Sequence, residues 1–219
     1  MNHPIKNIFA LPKGMLLFLV LYAFSFPVLW LEMRFTHQSM LAEWLGLSPS
    51  LVWKGQVWRA VSYAFLAGGI LGWAINLFWF ATLISMLRND WSSLSFWIYC
   101  LVAAIGGALP IILIKPHADI PVLTAGALIF ALLVAWDRFY RRERIIMLGL
   151  GEVSVRQAAI FVAALNAVVC FFSCGGWLFT FSMMCGGVAG WLWLALGQRR
   201  VMSRGSRVVE SERVARLEL

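Results

Sequence analysis

The chain has 219 residues, of which 62% are hydrophobic and only 13% are charged. A soluble domain is typically about 45–50% apolar and about 25% charged, so this composition is typical of a membrane protein. The net charge of +8 does not indicate nucleic-acid binding. The basic residues stand at the ends of apolar runs, where they flank a bilayer and attract anionic lipid head groups. The four cysteines form no CxxC pair, which argues against a disulfide framework and a zinc site.

The first apolar run extends from Gly14 to about residue 32 and follows Lys6 and Lys13. It is longer than the apolar region of an ordinary signal peptide, and charged residues rather than a small-residue cleavage site come after it. We therefore expect a retained membrane helix, preceded by a cytoplasmic N-terminus of residues 1–13.

A long mixed segment follows, from about residue 33 to residue 68. It contains Trp44, Trp53 and Trp58 among charged residues, which is typical of a structure that lies at the membrane interface rather than crossing it. Hydropathy then predicts five further spans. They cover about residues 69–87, 94–114, 120–136, 157–173 and 177–197.

The distribution of basic residues predicts the topology. If the N-terminus is cytoplasmic, the inside segments contain 14 of the 18 lysines and arginines, and the outside segments contain the other 4. An odd number of spans would put one large basic cluster on the outside, against the positive-inside rule. We therefore expect six spans with both termini in the cytoplasm, where the basic tail of residues 198–219 meets solvent or anionic lipid.

Ionisable side chains inside a membrane are costly and mark functional sites. The six predicted spans contain none away from their ends, and His3, His37 and His117 all fall in the N-terminus or in loops. An intramembrane metal site, a paired-aspartate protease and a histidine-ligated haem all need such residues. We therefore expect neither a metal nor another cofactor, and ion-coupled transport is disfavoured.

Several segments resemble the rhomboid family of intramembrane serine proteases. Residues 55–59, GQVWR, and 62–66, SYAFL, followed by Gly68, are similar to the family's GQxWRxxTYxFLHGG stretch between the first loop and the second helix. Asn76 matches the asparagine of the family's HGGxxHLxxN pattern. In the family this asparagine helps to bind the oxyanion, but without a nucleophile we expect it to make a structural hydrogen bond.

Later segments extend the resemblance. Residues 144–149 resemble the basic and apolar stretch after the fourth helix, and Gly186 with Gly190 resembles the GGxxxG of the sixth. The match covers about residues 15–197. It implies an all-α membrane protein, a six-transmembrane-helix rhomboid-like bundle of residues 14–197 with a long amphipathic first loop.

The residues that carry catalysis in rhomboids are missing. The nucleophilic serine of the family's GxSG corresponds to Ala125, and the histidine base of its AHxGG pattern corresponds to Met184. The two histidines of the second-helix pattern correspond to Ala67 and Gly72. A Ser–His dyad works because imidazole removes and returns the hydroxyl proton, which neither an alanine nor a thioether can do.

The residues of the pattern that persist are structural ones. We expect Gly126 on the fourth helix, with Gly186 and Gly190 on the sixth, to let two backbones approach closely. We expect Trp58 and Arg59 to hold the first loop at the head groups, the tryptophan by its amphipathic ring and the arginine by phosphate contacts.

The sequence therefore predicts a rhomboid-like pseudoprotease. In that family, inactive members such as the iRhoms and Derlins bind transmembrane helices of other proteins. The expected partners are membrane lipid and the transmembrane helix of a client or partner protein; a role as a subunit of a larger membrane complex is also open. The alternative is an active intramembrane serine protease with relocated catalytic residues, with Thr124 as the displaced nucleophile. The expected location is a bacterial inner membrane.

Overall fold

The computed structural model describes most of the chain, namely residues 11–36, 39–88, 91–119, 121–141, 143–147, 151–173 and 176–217. Most of the predicted cytoplasmic N-terminus and the turn predicted between the fifth and sixth spans lie outside these residues. In chain order the α-helices are α1 (Lys13–Thr36), α2 (Met40–Leu45), α3 (Pro49–Trp53), α4 (Arg59–Ser62), α5 (Ile70–Leu87), α6 (Ser93–Ile114), α7 (Gly126–Tyr140), α8 (Val155–Ser173) and α9 (Trp177–Leu217).

A helix stands at each of the six predicted spans. Within the described part of the chain, four helices are long and apolar enough to cross a membrane: α1, α5, α6 and the first half of α9, Trp177–Gly197. The other two, α7 with its 15 residues and the apolar stretch Val155–Val168 of α8, are shorter than the roughly 20 residues of a typical span. The fold is a mainly helical membrane bundle, and the count of six spans stays a prediction.

The first loop is held against the segment that precedes α7. Leu47 and Val122 exchange two backbone hydrogen bonds of 3.0 and 2.9 Å and form an isolated antiparallel bridge. Because this pairing keeps the chain extended, α7 begins at Gly126 and not at about residue 120, where hydropathy places the start of the fourth span.

A β-hairpin that hydropathy does not predict follows α7. Strand β1 (Arg144–Met147) pairs antiparallel with β2 (Gly151–Ser154), so that Arg144 lies opposite Ser154. The backbone N–H of Val155 donates to the carbonyl of Glu143, at 3.2 Å, and the hairpin therefore leads directly into α8.

The centre of the bundle consists of α6, α7 and α9, and small residues allow these helices to approach closely. A Cβ added to Gly186 would lie 2.6 Å from the Cβ of Ala127 and 2.9 Å from its Cα. One turn further along α9, a Cβ added to Gly190 would lie 2.6 Å from the hydroxyl of Tyr99 and 3.0 Å from the Cβ of Ala131. In a membrane such close packing supplies the van der Waals contacts that hold helices together.

Buried hydroxyl groups also connect the central helices to one another and to the first loop. Each donates a hydrogen bond to a main-chain carbonyl of a neighbouring helix: Tyr63 to Ala104, Tyr99 to Ala131 and Ser182 to Gly107. A polar group that is shielded from water must find a partner inside the protein, and these pairs satisfy that requirement.

The outer helices are arranged around this centre. Helix α1 packs against α5 and α6, whereas α5 and α8 both pack against α7. Between themselves α5 and α8 make at most marginal contact. Both helices carry exposed apolar side chains, as helices that face lipid do.

Candidate functional site

The guanidinium of Arg59 holds the first loop together. The side chain is only 4% exposed; its Nε donates to Oε1 of Gln56 at 2.6 Å, and one terminal nitrogen donates to the carbonyl of Gly46 at 2.8 Å. Burial lowers the pKa of this group, and the two acceptors offset part of the cost of burying its charge. The arginine therefore binds the loop's own atoms, and the expected contact with lipid phosphate stays a prediction.

Trp58, the other half of the expected interface anchor, is half-exposed. Its indole nitrogen donates to the carbonyl of Trp44 at 3.3 Å, while both rings keep large exposed areas. This combination of a bonded polar edge and an exposed apolar face is typical of tryptophan at a membrane interface.

Ala125, which the sequence resemblance aligns with the rhomboid nucleophile, caps the N-terminus of α7 and is fully buried. Its carbonyl accepts from the N–H groups of Leu128 and Ile129, as the first turn of a helix requires. The hydroxyl of Thr124, the alternative nucleophile, accepts a 3.3 Å hydrogen bond from the N–H of Gly126. Among the described residues the only histidine is His117, which lies in the exposed loop after α6, and no described hydrogen bond joins it to Thr124.

The residue that faces the start of α7 is Met183, one position before Met184. A Cβ added to Gly126 would lie 2.6 Å from Cγ and 2.7 Å from Sδ of Met183, which is 6% exposed and packs with Phe130 and Cys170. Met184 is 52% exposed. Successive helical residues are about 100° apart around the axis, so both cannot face α7. The side chain that packs against the first residue of α7 is thus Met183, and the correspondence of Met184 to the rhomboid base stays a prediction from the sequence pattern.

Asn76 lies where α5 meets α1. Its amide faces the buried hydroxyl of Tyr22, but the two groups do not form a hydrogen bond of good geometry. One turn earlier, the indole nitrogen of Trp73 donates to the carbonyl of Tyr22 at 3.2 Å. The structure therefore gives Asn76 a neighbour on α1, in a polar contact between two helices.

Sequence reasoning missed two open cavities at the end of the bundle where the first loop meets the segment before α7. The larger has a volume of about 590 Å³ and is lined by Ser50, Trp53, Lys54, Pro116, His117 and Asp119. The smaller, of about 290 Å³, is lined by Glu43, Trp44, Ser48, Leu51, Arg59, Asp119 and Pro121. The tryptophans and charges of residues 33–68 pointed to an interface, but nothing in the sequence pairs them with residues 115–121.

The larger cavity brings a serine, a histidine and an aspartate together, but without the geometry of a catalytic triad. In a triad the imidazole stands between the hydroxyl and the carboxylate. Here the hydroxyl of Ser50 donates directly to Oδ1 of Asp119, and no described hydrogen bond joins His117 to either residue. The described residues also contain no group of three or more His, Cys, Asp or Glu side chains that could hold a metal ion.

Comparison with known proteins adds one finding. The family described as "Eukaryotic integral membrane protein (DUF1751)" matches residues 15–207, which is nearly the whole bundle. No curated protein shows a significant match to the chain. The family match and the apolar helices agree on an integral membrane protein. Because the family is described as eukaryotic, the expected bacterial inner membrane has no support, and the orientation of the termini stays a prediction.

Proposed function

The chain belongs to the DUF1751 family of eukaryotic integral membrane proteins, and we propose that it is a rhomboid-like pseudoprotease that binds a transmembrane helix of another protein without cleaving it. The observation that carries the proposal is the closed start of α7, where Ala125 is fully buried and Met183 packs against Gly126.

Peptide hydrolysis needs a nucleophile, a base within hydrogen-bond distance of it, and access for water. At the start of α7 the side chain in the nucleophile's place is a methyl group, and a thioether occupies the space beside it. The one hydroxyl nearby, on Thr124, is engaged with the backbone of Gly126. These contacts favour a binding role over catalysis.

The surface we assign to the partner helix lies beside this closed start. Gly68 and Gly72, four residues apart, are both exposed, and a Cβ on Gly72 would meet no atom within 4 Å. A Cβ on Gly68 would lie 3.8 Å from the carbonyl oxygen of Leu123, two residues before Ala125. Gly68 lies just before α5 and Gly72 in its first turn, so no side chain at these two positions holds an approaching helix away, and the marginal contact between α5 and α8 leaves that approach open.

The test is photo-crosslinking in native membranes from a reactive residue placed at Ile75, one turn after Gly72. The matched control is Ile105 on α6, because the two isoleucines are 44% and 43% exposed. A discrete protein adduct at Ile75 but not at Ile105, mapped to an apolar segment of about 20 residues, is the expected result. Lipid adducts of equal yield at both sites would overturn the proposal.

A second variant locates the bound helix. Gly72→Phe fills open space, so the fold should persist while the adduct at Ile75 disappears.

A partner that copurifies in mild detergent at fixed stoichiometry would identify a permanent complex rather than a transient client.

The protease alternative is tested with a fluorescent transmembrane peptide. We expect no turnover. Cleavage by the wild-type chain that Thr124→Val abolishes would replace the pseudoprotease proposal with the catalytic one.

A further inference from the structure

The larger cavity, named the outer cavity here, lies between α3 and the loop that follows α6. Its volume of about 590 Å³ falls in the range of small-molecule sites, roughly 300–1,000 Å³. Helix α6 ends at Ile114, directly before the lining residues Pro116, His117 and Asp119, and Trp53 on the opposite wall is well exposed. A cavity at the end of an apolar helix, with an exposed indole in its wall, stands at the level of lipid head groups.

Opposite charges line the outer cavity without neutralising each other. Lys54 and Asp119 both belong to its wall, yet among the described residues they form no ion pair. The carboxylate of Asp119 is fixed by the hydroxyl of Ser50 at Oδ1, and its backbone carbonyl accepts from Ser48 at 3.4 Å. Its Oδ2 keeps its acceptor capacity. The cavity therefore offers a cation and an oriented anion to one ligand.

The adjoining smaller cavity repeats this balance of charge. It shares Asp119 with the outer cavity and adds Glu43 and the buried Arg59. Across the two cavities together, a purely anionic ligand would meet the carboxylates of Asp119 and Glu43, and a purely cationic ligand would meet the ammonium of Lys54 and the guanidinium of Arg59. The arrangement is complementary to a zwitterion.

We propose that the outer cavity binds the head group of a zwitterionic phospholipid that carries a primary ammonium, phosphatidylethanolamine in chemical class. The ammonium of Lys54 binds the lipid phosphate, and Oδ2 of Asp119 accepts a hydrogen bond from the ethanolamine ammonium. The indole of Trp53 packs on the glycerol region. A quaternary choline group has no N–H to donate, so Asp119 selects against it. This inference is independent of the pseudoprotease proposal, because it uses neither α5 nor the start of α7.

Native mass spectrometry of the full chain, released from detergent after equilibration with one lipid at a time, tests the proposal. The probes are phosphatidylethanolamine, phosphatidylcholine and phosphatidylglycerol with identical acyl chains. We expect at least about tenfold more retained phosphatidylethanolamine than phosphatidylcholine, the lower end of the ratio for one hydrogen bond between charged groups. Equal retention of these two lipids, or preferential retention of phosphatidylglycerol, would overturn it.

Three variants separate the roles. Asp119→Asn keeps an acceptor for Ser50 but loses the charge, and should bring retention of phosphatidylethanolamine down to that of phosphatidylcholine. Lys54→Gln should lower retention of both zwitterionic lipids alike. Lys115→Gln, at an exposed lysine outside the cavity lining, should change nothing. An Asp119→Asn chain that still prefers phosphatidylethanolamine to phosphatidylcholine would contradict the proposal. Because Lys54 is exposed, the Lys54→Gln variant should fold normally and gives a second test.

Discussion

The side chain of Met183 on α9 lies directly against the α-carbon of Gly126, the first residue of α7. This contact is possible because position 126 has no Cβ, and it fills the space beside the first residue of α7. The thioether and the glycine therefore form one packing unit, and changes at the two positions should be coupled.

Gly126→Ala should reduce stability, because its Cβ would overlap the Met183 side chain. Overpacking typically costs about 1–3 kcal/mol, and the flexible end of a methionine can move, so we expect the lower part of this range. Met183→Ala in the same chain should recover part of the loss. Thermal denaturation in detergent checks both changes, and strictly additive losses would refute the coupling.

Gly186→Ala should be more damaging than Gly126→Ala. Its Cβ would meet the Cβ and Cα of Ala127, and because a backbone atom cannot rotate away, α7 and α9 would have to separate. We expect a cost at the upper end of about 1–3 kcal/mol. Gly72→Ala is the matched control, since a Cβ at this position meets nothing within 4 Å. The melting temperature of this variant should therefore equal that of the wild-type chain.

Arg59→Lys should loosen the first loop although it keeps the charge. A single ammonium cannot reproduce the two directed hydrogen bonds to Gln56 and to the carbonyl of Gly46. Hydrogen exchange of residues 41–66 should accelerate in this variant and in Arg59→Ala. Lys54→Ala, at an exposed position of the same loop, is the control, and equal protection in all three chains would contradict the prediction.

Tyr99→Phe should cost about 0.5–1.5 kcal/mol, because it removes the hydrogen bond to the carbonyl of Ala131 inside the core. Tyr140→Phe removes a comparable 2.9 Å bond to the carbonyl of Met86 at an exposed site, where water replaces it. The difference in melting temperature between the two variants measures the effect of burial. A larger loss in Tyr140→Phe would be the contrary outcome.

The predicted topology places the outer cavity and the β-hairpin on opposite sides of the membrane. In a chain without its native cysteines, Lys54→Cys should react with a membrane-impermeant maleimide added outside. Arg156→Cys, also exposed, should react only after the membrane is permeabilised. Labelling of both from the same side would exclude the six-span topology.

Hydropathy located the helices well where charged residues bound an apolar run. The second predicted span, 69–87, and the third, 94–114, agree with Ile70–Leu87 and Ser93–Ile114 to within a residue at each end, because Arg88 and Lys115 stop them. Hydropathy placed the start of the fourth span too early. The pairing of Leu47 with Val122 is a tertiary contact, and the residues next to Val122 in the sequence do not indicate it.

The candidate site was harder to predict than the helices. Apolar residues surround α9 on all sides in the membrane, so the sequence does not reveal which of Met183 and Met184 faces α7. The outer cavity depends on two loops that are distant in the chain. The rotation of α9 about its own axis and the contact between the two loops could not be predicted, because composition and hydropathy carry no information on either.

The bridge between Leu47 and Val122 has a consequence for biosynthesis. Leu47 is fully buried, and its backbone N–H and carbonyl find their partners only on Val122. Ser48 likewise reaches Asp119, 71 positions further along the chain. The ribosome makes the first loop early, yet these hydrogen bonds form only after the segment before α7 has been translated. The first loop therefore completes these contacts only after about half of the chain has been made, and a nascent chain that stops before residue 119 leaves them unformed.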